Sequence, residues 1–184
     1  MSFPFADISR FDKTSDYLSI FIAVLVTDML FLSMMIAGVF YSSKLAKWYH
    51  LFGIGAVMAD IFILFIGILI ARFLYPSFFS TFSLLGFLGL ALAVQVIHDT
   101  LFGVAMLLLP ANHNQIVDVF KEYIQEVNAW AIVADSCMMV SSVLLSSWFA
   151  SWKYSSLLPL LVVVLYIVPF LLYQTRYGNK TLSL

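Results

Sequence analysis

The sequence predicts an all-α polytopic membrane protein: a five-span transmembrane helical bundle with one amphipathic surface helix. Of 184 residues, 63% are hydrophobic and 10% are charged, against about 45–50% and about 25% in soluble domains. Mean hydropathy is +1.03. Five stretches reach the roughly 20 apolar residues that a helix needs to cross a hydrocarbon core of about 30 Å. Nine Lys and Arg against ten Asp and Glu leave a net charge of -1, which gives no basic footprint for nucleic acid. The one cysteine, Cys137, excludes an internal disulfide, a CxxC redox pair and a Cys-rich zinc site.

One membrane domain is expected over 1–184, with spans at about 17–41, 51–74, 81–109, 129–150 and 157–173 after a polar arm at 1–16. The runs lack the alternation of barrel strands of roughly ten residues, and a lipid-exposed segment must satisfy its own backbone hydrogen bonds. Trp48, Tyr49, Tyr75, Trp130, Trp148 and Trp152 gather at span ends, as do Tyr154, Tyr173 and Tyr177. Amphipathic aromatics favour that headgroup level. The arm carries Asp7, Asp12 and Asp16 with Arg10 and Lys13, unlike a signal peptide, and Asp12 or Ser15 is expected to cap the first helix.

Five spans put the termini on opposite faces. Arg10, Lys13, Arg72 and Lys153 fall on one face, and Lys44, Lys47, Lys121, Arg176 and Lys180 on the other. That near balance gives the positive-inside rule little to act on; the small excess favours a cytoplasmic C terminus. Asn179-Lys180-Thr181 is a glycosylation sequon close to the last span.

Each of the first four spans holds an aspartate inside its apolar run: Asp28, Asp60, Asp99 and Asp135. An Asp at the centre of a spanning helix costs about 2.5–3.5 kcal/mol, so four charged and unpaired would cost on the order of 10–14 kcal/mol. They must face the bundle interior, become neutral, or reach water or a partner. No Lys or Arg is central in a span, and Arg72, near its helix end, is expected to snorkel. His98 is the one internal basic candidate. If successive spans alternate in direction, all four acids fall in the half nearest Lys44 and Lys47, where they can converge on one polar pocket. The fifth span has no acidic or basic residue and reads as a packing or lipid-facing helix.

On the third span, Gln95, His98, Asp99 and Phe102 follow the i, i+3, i+4, i+7 pattern and share a face. His98 and Asp99 lie about 100° apart around the helix, so contacts with other helices are more natural than with each other. Gly53, Ala56, Asp60, Gly67 and Ala71 share a small-residue face on the second span, and Gly86, Gly89 and Ala93 offer another close-packing surface on the third. The polar intramembrane cluster is therefore Asp28, Asp60, Gln95, His98, Asp99 and Asp135. Such groups mark functional sites by default, yet buried polar contacts also act as glue between helices, at about 0.6 kcal/mol each.

The stretch from Pro110 to Asn128 is predicted to form the surface helix, at about 114–127, with Asn112 and Gln115 as its capping box. Ile116, Phe120, Tyr123 and Val127 form its apolar side. Asp118, Glu122 and Glu126 make an acidic row, read as solvated, with a basic protein partner as the alternative. A metal site from His113, Asp118 and Glu122 lacks a second histidine in reach, so no metal is expected. Without a phosphate-binding glycine loop, HExxH, GxSxG or CxxC, no cofactor is implied and catalysis has little support. Cys137 reads as an inert packing residue.

The string Gln95-Val96-Ile97-His98-Asp99-Thr100-Leu101-Phe102, a QxxHDxxF pattern, resembles uncharacterised multi-span membrane proteins of large nucleocytoplasmic DNA viruses. The stretch from Pro110 through Asn114, then Asp118 to Tyr123, Glu126 and Asp135-Ser136, is similar to the same group. The resemblance covers about a quarter of the chain. It implies a place, a viral inner membrane or a host-derived endomembrane, and no activity. The leading expectation is a structural component of such a membrane, whose partners are the lipid bilayer and a second copy or a neighbouring membrane or capsid protein. The alternatives are a proton- or cation-handling channel or transporter using the intramembrane carboxylates, and a membrane enzyme using His98 and Asp99 on a lipid-soluble substrate.

Overall fold

The computed structural model describes residues 5–173. Among them are seven helices and no strand: α1 (Asp16–Ile36), α2 (Ser43–Phe52), α3 (Ile54–Phe78), α4 (Leu84–Leu108), α5 (Gln115–Val127), α6 (Trp130–Phe149) and α7 (Tyr154–Leu172). The protein is an all-α bundle. Five of these helices, α1, α3, α4, α6 and α7, are long and apolar enough to cross a membrane, compatible with an integral multi-pass protein. Arg176, Tyr177, Lys180 and the sequon at Asn179 lie outside the described residues.

The most buried span is α1, which packs against α6, α7 and α3, while α4 closes the bundle against α3 and α6. Val24, Leu25, Leu32, Ile61, Ile68 and Met139 are fully or almost fully buried where these helices meet. Gly89 and Ala93 are exposed, and a Cβ on Gly89 would meet nothing within 4 Å. Of the expected packing surface, Gly86 alone is close-packed, and a Cβ there would stand 3.1 Å from Phe79 Cε1. Cys137 is also exposed rather than packed.

The interval between the first two predicted spans folds as a helix of its own. Ser42 caps α2, its hydroxyl accepting from the Leu45 N–H at 3.0 Å, and Ala46, Trp48 and Tyr49 form its buried side. Gly53, expected on the packing face of the second span, instead makes the corner between α2 and α3. Its φ of +50° and ψ of -123° is a conformation that glycine alone adopts readily. Helix α5 forms where predicted, but Asn114 rather than Asn112 caps it, accepting from the Ile116 N–H at 2.9 Å. Asn128, at φ +49°, makes the corresponding corner into α6.

The acidic row of α5 is not simply solvated. Its basic partner is α2. Lys44 and Lys47 place their ammonium groups 2.8 and 2.9 Å from Glu122 Oε2. Glu126 Oε2 accepts from the Lys44 N–H at 2.9 Å, and Oε1 accepts from the Ser43 N–H at 3.0 Å. Both Ser42 and Ser43 hydroxyls also donate to it at 2.9 Å. Glu126 thus satisfies free N–H groups at the start of α2, where the helix dipole favours an anion. Asp118 takes a different role, accepting the Asn112 N–H at 2.9 Å. His113 Nδ1 lies 3.0 Å from the Ala111 carbonyl, so His113, Asp118 and Glu122 are each engaged separately.

Span, surface helix and span occur twice, as α1–α2–α3 and α4–α5–α6. Asp28 lies eight residues before the end of α1 and Asp99 nine before the end of α4. Asp60 lies six residues after the start of α3 and Asp135 five after the start of α6. At 1.5 Å per residue, the acids sit about 8–14 Å from the ends that adjoin α2 and α5.

At the opposite end, Arg72 does not snorkel. It has no exposure. Its Nη2 donates to the backbone carbonyls of Arg10 and, at 3.0 Å, Lys13, and lies 3.6 Å from Asp16 Oδ2. The guanidinium also stands 4.8 Å from the Tyr17 ring centroid, a cation–π contact. The N-terminal arm is therefore docked rather than free. The Ala6 N–H donates to the Ser147 carbonyl at 2.9 Å, and Ile8 is fully buried. Neither Asp12 nor Ser15 caps α1 through its side chain: Ser15 makes no such bond, and Asp12 pairs with Arg10 at 2.9 Å.

Two predictions follow from these anchors. Replacing Arg72 with Ala removes the side-chain donor of two arm carbonyls, while Asp16 keeps Lys13 at 2.8 Å from its Oδ1. A buried acceptor left unsatisfied costs about 1–3 kcal/mol, so the thermal unfolding midpoint of the purified protein should drop, and an unchanged midpoint would refute the anchor. In the clamp, hydrogen bonds from Lys44 and Lys47 hold Glu122 below its ordinary value of 4.5. For Glu126, burial pushes upward, but the Lys44 N–H, the two serine hydroxyls and the Ser43 N–H outweigh it and hold it below 4.5 as well. A carboxyl lowered by folding stabilises the fold above its unfolded value and loses that contribution as pH falls through the folded one. Thermal stability should therefore fall as pH is lowered below about 4.5, and the drop should be smaller in the Glu122→Gln/Glu126→Gln double variant.

Candidate functional site

A cavity of about 380 Å³ lies in the end of the bundle beneath α2 and α5. Leu45, Trp48 and Tyr49 of α2 with Ile116, Phe120 and Tyr123 of α5 form its roof. Its walls are Phe31 and Met35 of α1, Asp60 and Ile63 of α3, Gln95, His98, Asp99 and Phe102 of α4, and Asp135 and Met138 of α6. Five of the six predicted cluster residues, Asp60, Gln95, His98, Asp99 and Asp135, thus line one cavity. Asp28 lies beside it. It sits one helical turn before Phe31 and Leu32 on α1, is fully buried, and lies within electrostatic reach of Asp60 and Tyr49. The row Asp118, Glu122 and Glu126 is absent from the cavity walls.

The sequence builds this wall by periodicity. Gln95, His98, Asp99 and Phe102 project from one face of α4. Gln95 Nε2 donates to Asp99 Oδ1 at 2.7 Å, and His98 Nδ1 lies 3.1 Å from the same oxygen. The adjacent His and Asp therefore do meet, contrary to expectation, because Asp99 Oδ1 sits between the two neighbouring side chains. Gly67 lets α3 approach: a Cβ there would stand 3.0 Å from Met139 Cε and 3.6 Å from Gln95 Oε1. His98 stacks on Phe102, with ring centroids 5.8 Å apart. Phe102, Phe120 and Trp48 continue an aromatic chain into the roof at 5.1 and 4.8 Å.

Two residues that the sequence reading left outside the cluster belong to the site. The Tyr49 hydroxyl donates to Asp60 Oδ2 at 2.7 Å. Burial pushes the Tyr49 phenol well above its ordinary value of 10, and Asp60 and Asp28 push it further. It therefore remains a donor throughout the working pH range. Burial likewise raises the Tyr123 phenol, with Asp135, Asp60 and Asp99 contributing. That places Tyr123 within electrostatic reach of three carboxyl groups from three helices. The available signal was a tyrosine on the apolar side of an amphipathic helix, an apolar ring with a polar tip that needs a partner when buried.

The acids are not closed on one another. Among the described residues, Asp99 Oδ2 and both Asp28 oxygens are buried with no hydrogen-bond partner, and no Lys or Arg lines the cavity. Nor does any group of three His, Cys, Asp or Glu side chains there stand ready to hold a metal ion. The arrangement can accept positive charge: acceptors outnumber donors, and the surroundings are apolar and aromatic.

No protein-family model, curated protein or solved structure matches the chain.

The Tyr49–Asp60 bond joins the roof to the wall. Changing Tyr49 to Phe leaves the Asp60 oxygen without its donor, and an unsatisfied buried acceptor costs about 1–3 kcal/mol. The thermal midpoint of Tyr49→Phe should fall accordingly, whereas an unchanged midpoint would mean that the bond contributes nothing to holding α2.

Proposed function

We propose that this multi-pass membrane protein handles protons or cations at the acid-lined cavity. The observation that carries this reading is the unsatisfied state of the carboxyl groups: Asp99 Oδ2 and both Asp28 oxygens lack partners among the described residues, while Asp60, Asp99 and Asp135 line a space large enough for several waters. Leaving such acceptors unpaired costs free energy, which a bound proton or cation would offset. His98 Nδ1 lies 3.1 Å from Asp99 Oδ1, and carboxyl groups within a membrane serve proton relays.

The structural-component reading draws its support from a different observation, the Tyr49–Asp60 and Gln95–Asp99 bonds that tie α2 to α3 and brace α4. The resemblance at Gln95–Phe102 supports a viral or host-derived membrane as the place of either role.

The test is proton and cation flux into liposomes holding the purified chain, compared with Asp99→Asn and His98→Ala. Handling by the cavity predicts flux in the native chain that both substitutions abolish while the protein stays folded. Absence of flux, with the substitutions altering only thermal stability, would sink the transport reading in favour of the structural one.

A further inference from the structure

We propose that the cavity is a binding site for a lipophilic ammonium ion, an apolar molecule carrying one positively charged amine. The inference rests on the cavity accepting positive charge, as in the reading above, and names the class of occupant.

Size comes first. About 380 Å³ falls in the range of roughly 300–1,000 Å³ typical of sites for small organic molecules. A proton or a bare metal ion needs far less space. Calcium or magnesium would also require six or more oxygen ligands closing around it, whereas here the carboxyl groups come from separate helices and, among the described residues, no three metal-binding side chains converge.

Chemistry comes next. Asp60, Asp99 and Asp135 supply negative charge or hydrogen-bond acceptors on one side and, among the described residues, no Lys or Arg on the lining neutralises them. Asp28 adds a fully buried carboxyl group beside Asp60 with neither oxygen partnered. Among the described residues, an anion would find no Lys or Arg on the lining to pair with, and His98 there already faces Asp99. A neutral apolar molecule would leave those acceptors unsatisfied, at a cost. An ammonium answers both needs.

The aromatic lining fits the rest. Trp48 and Phe120 meet in the roof with ring centroids 4.8 Å apart, and Phe102 joins Phe120 at 5.1 Å. Ring faces attract a cation within about 6 Å, more strongly when it is desolvated. Phe31, Ile63 and Met138 line the remaining wall and suit an alkyl or aryl body.

The experiment measures binding by calorimetry to the full chain in lipid nanodiscs, using 3-phenylpropyl-trimethylammonium and its uncharged isostere, in which a tert-butyl group replaces the trimethylammonium. A permanent charge separates recognition of the cation from protonation of the ligand. The ammonium is expected to bind about tenfold or more tightly than the isostere, a difference of at least about 1.4 kcal/mol. Asp99→Asn and Asp135→Asn should each weaken the ammonium by a similar factor and leave the isostere unchanged. Asp12→Asn, in an exposed ion pair with Arg10, should alter neither. Equal binding of the two ligands, or binding of neither, overturns the proposal. The result is independent of flux: discriminating binding without flux retires transport and upholds the ligand site, whereas flux without discrimination does the reverse.

Discussion

A carboxyl group inside an apolar helix has to be given something to do, and the arrangement of this bundle follows from how four of them are accommodated. Each costs about 2.5–3.5 kcal/mol near the middle of the membrane if left charged and alone. Asp60, Asp99 and Asp135 turn to a common interior space, and Asp28 lies beside it. That space exists because α2 and α5 cover the end of the bundle with aromatic side chains instead of lying apart at the interface. The phenols of Tyr49 and Tyr123 bring polar tips to the acids from the roof. Without the two short helices, the acids would meet headgroups and water directly, and the cavity would lack its aromatic side.

The roof is held by charge at its outer edge and by packing beneath. Lys44 and Lys47 converge on Glu122, and Glu126 closes over the first N–H groups of α2. These side chains are more than a third exposed in the Lys–Glu pairs, so each pair alone contributes little, about 0–1 kcal/mol. Glu126 differs because it accepts four hydrogen bonds from three consecutive residues. Charge-assisted bonds to helix N–H groups are stronger than a solvated ion pair. The apolar faces do the rest, with Trp48 on Phe120 inside the same contact. Polar rim and aromatic interior are therefore two sides of one docked pair of helices.

Much of this was legible in the sequence because membrane physics acts on length and hydropathy, which a sequence displays directly. The five spans, the helix at 115–127 and the convergence of Asp60, Gln95, His98, Asp99 and Asp135 come from run length, polar placement and the 3.6-residue period, whereas the expected caps at Asp12, Ser15 and Asn112 do not form. Other features depend on pairings that no local pattern encodes. Helix α2 is ten residues long with little mean apolarity, so it disappears between two spans. The acidic row looked solvated because its basic partners lie 75 and 78 positions earlier in the chain. Arg72 looked free to snorkel because its partners are mainly backbone carbonyls of the arm, and a carbonyl leaves no signature in a residue string. The His98–Asp99 contact was missed because backbone angle alone was weighed, while the side chains swing toward the oxygen that Gln95 already holds.

The two ends of the bundle solve the same electrostatic problem in opposite ways. At the arm end, a buried cation is held through one nitrogen: Arg72 Nη2 meets two carbonyls and Asp16, and the guanidinium lies over the face of Tyr17, while its Nε and Nη1 lack partners among the described residues. At the cavity end, half-buried acids are gathered with no lysine or arginine among the described lining residues, and two phenols, an amide, an imidazole and the Trp48 indole are their polar neighbours. A protein that needed rigidity alone could have treated both ends alike, by pairing each acid with a basic side chain as it pairs Arg72. The repeated span–surface helix–span order carries the asymmetry further, since both copies bring their acids to the roofed end. Carboxyl groups are thereby gathered around one cavity, and a positive charge is what the proposed occupant would bring to them.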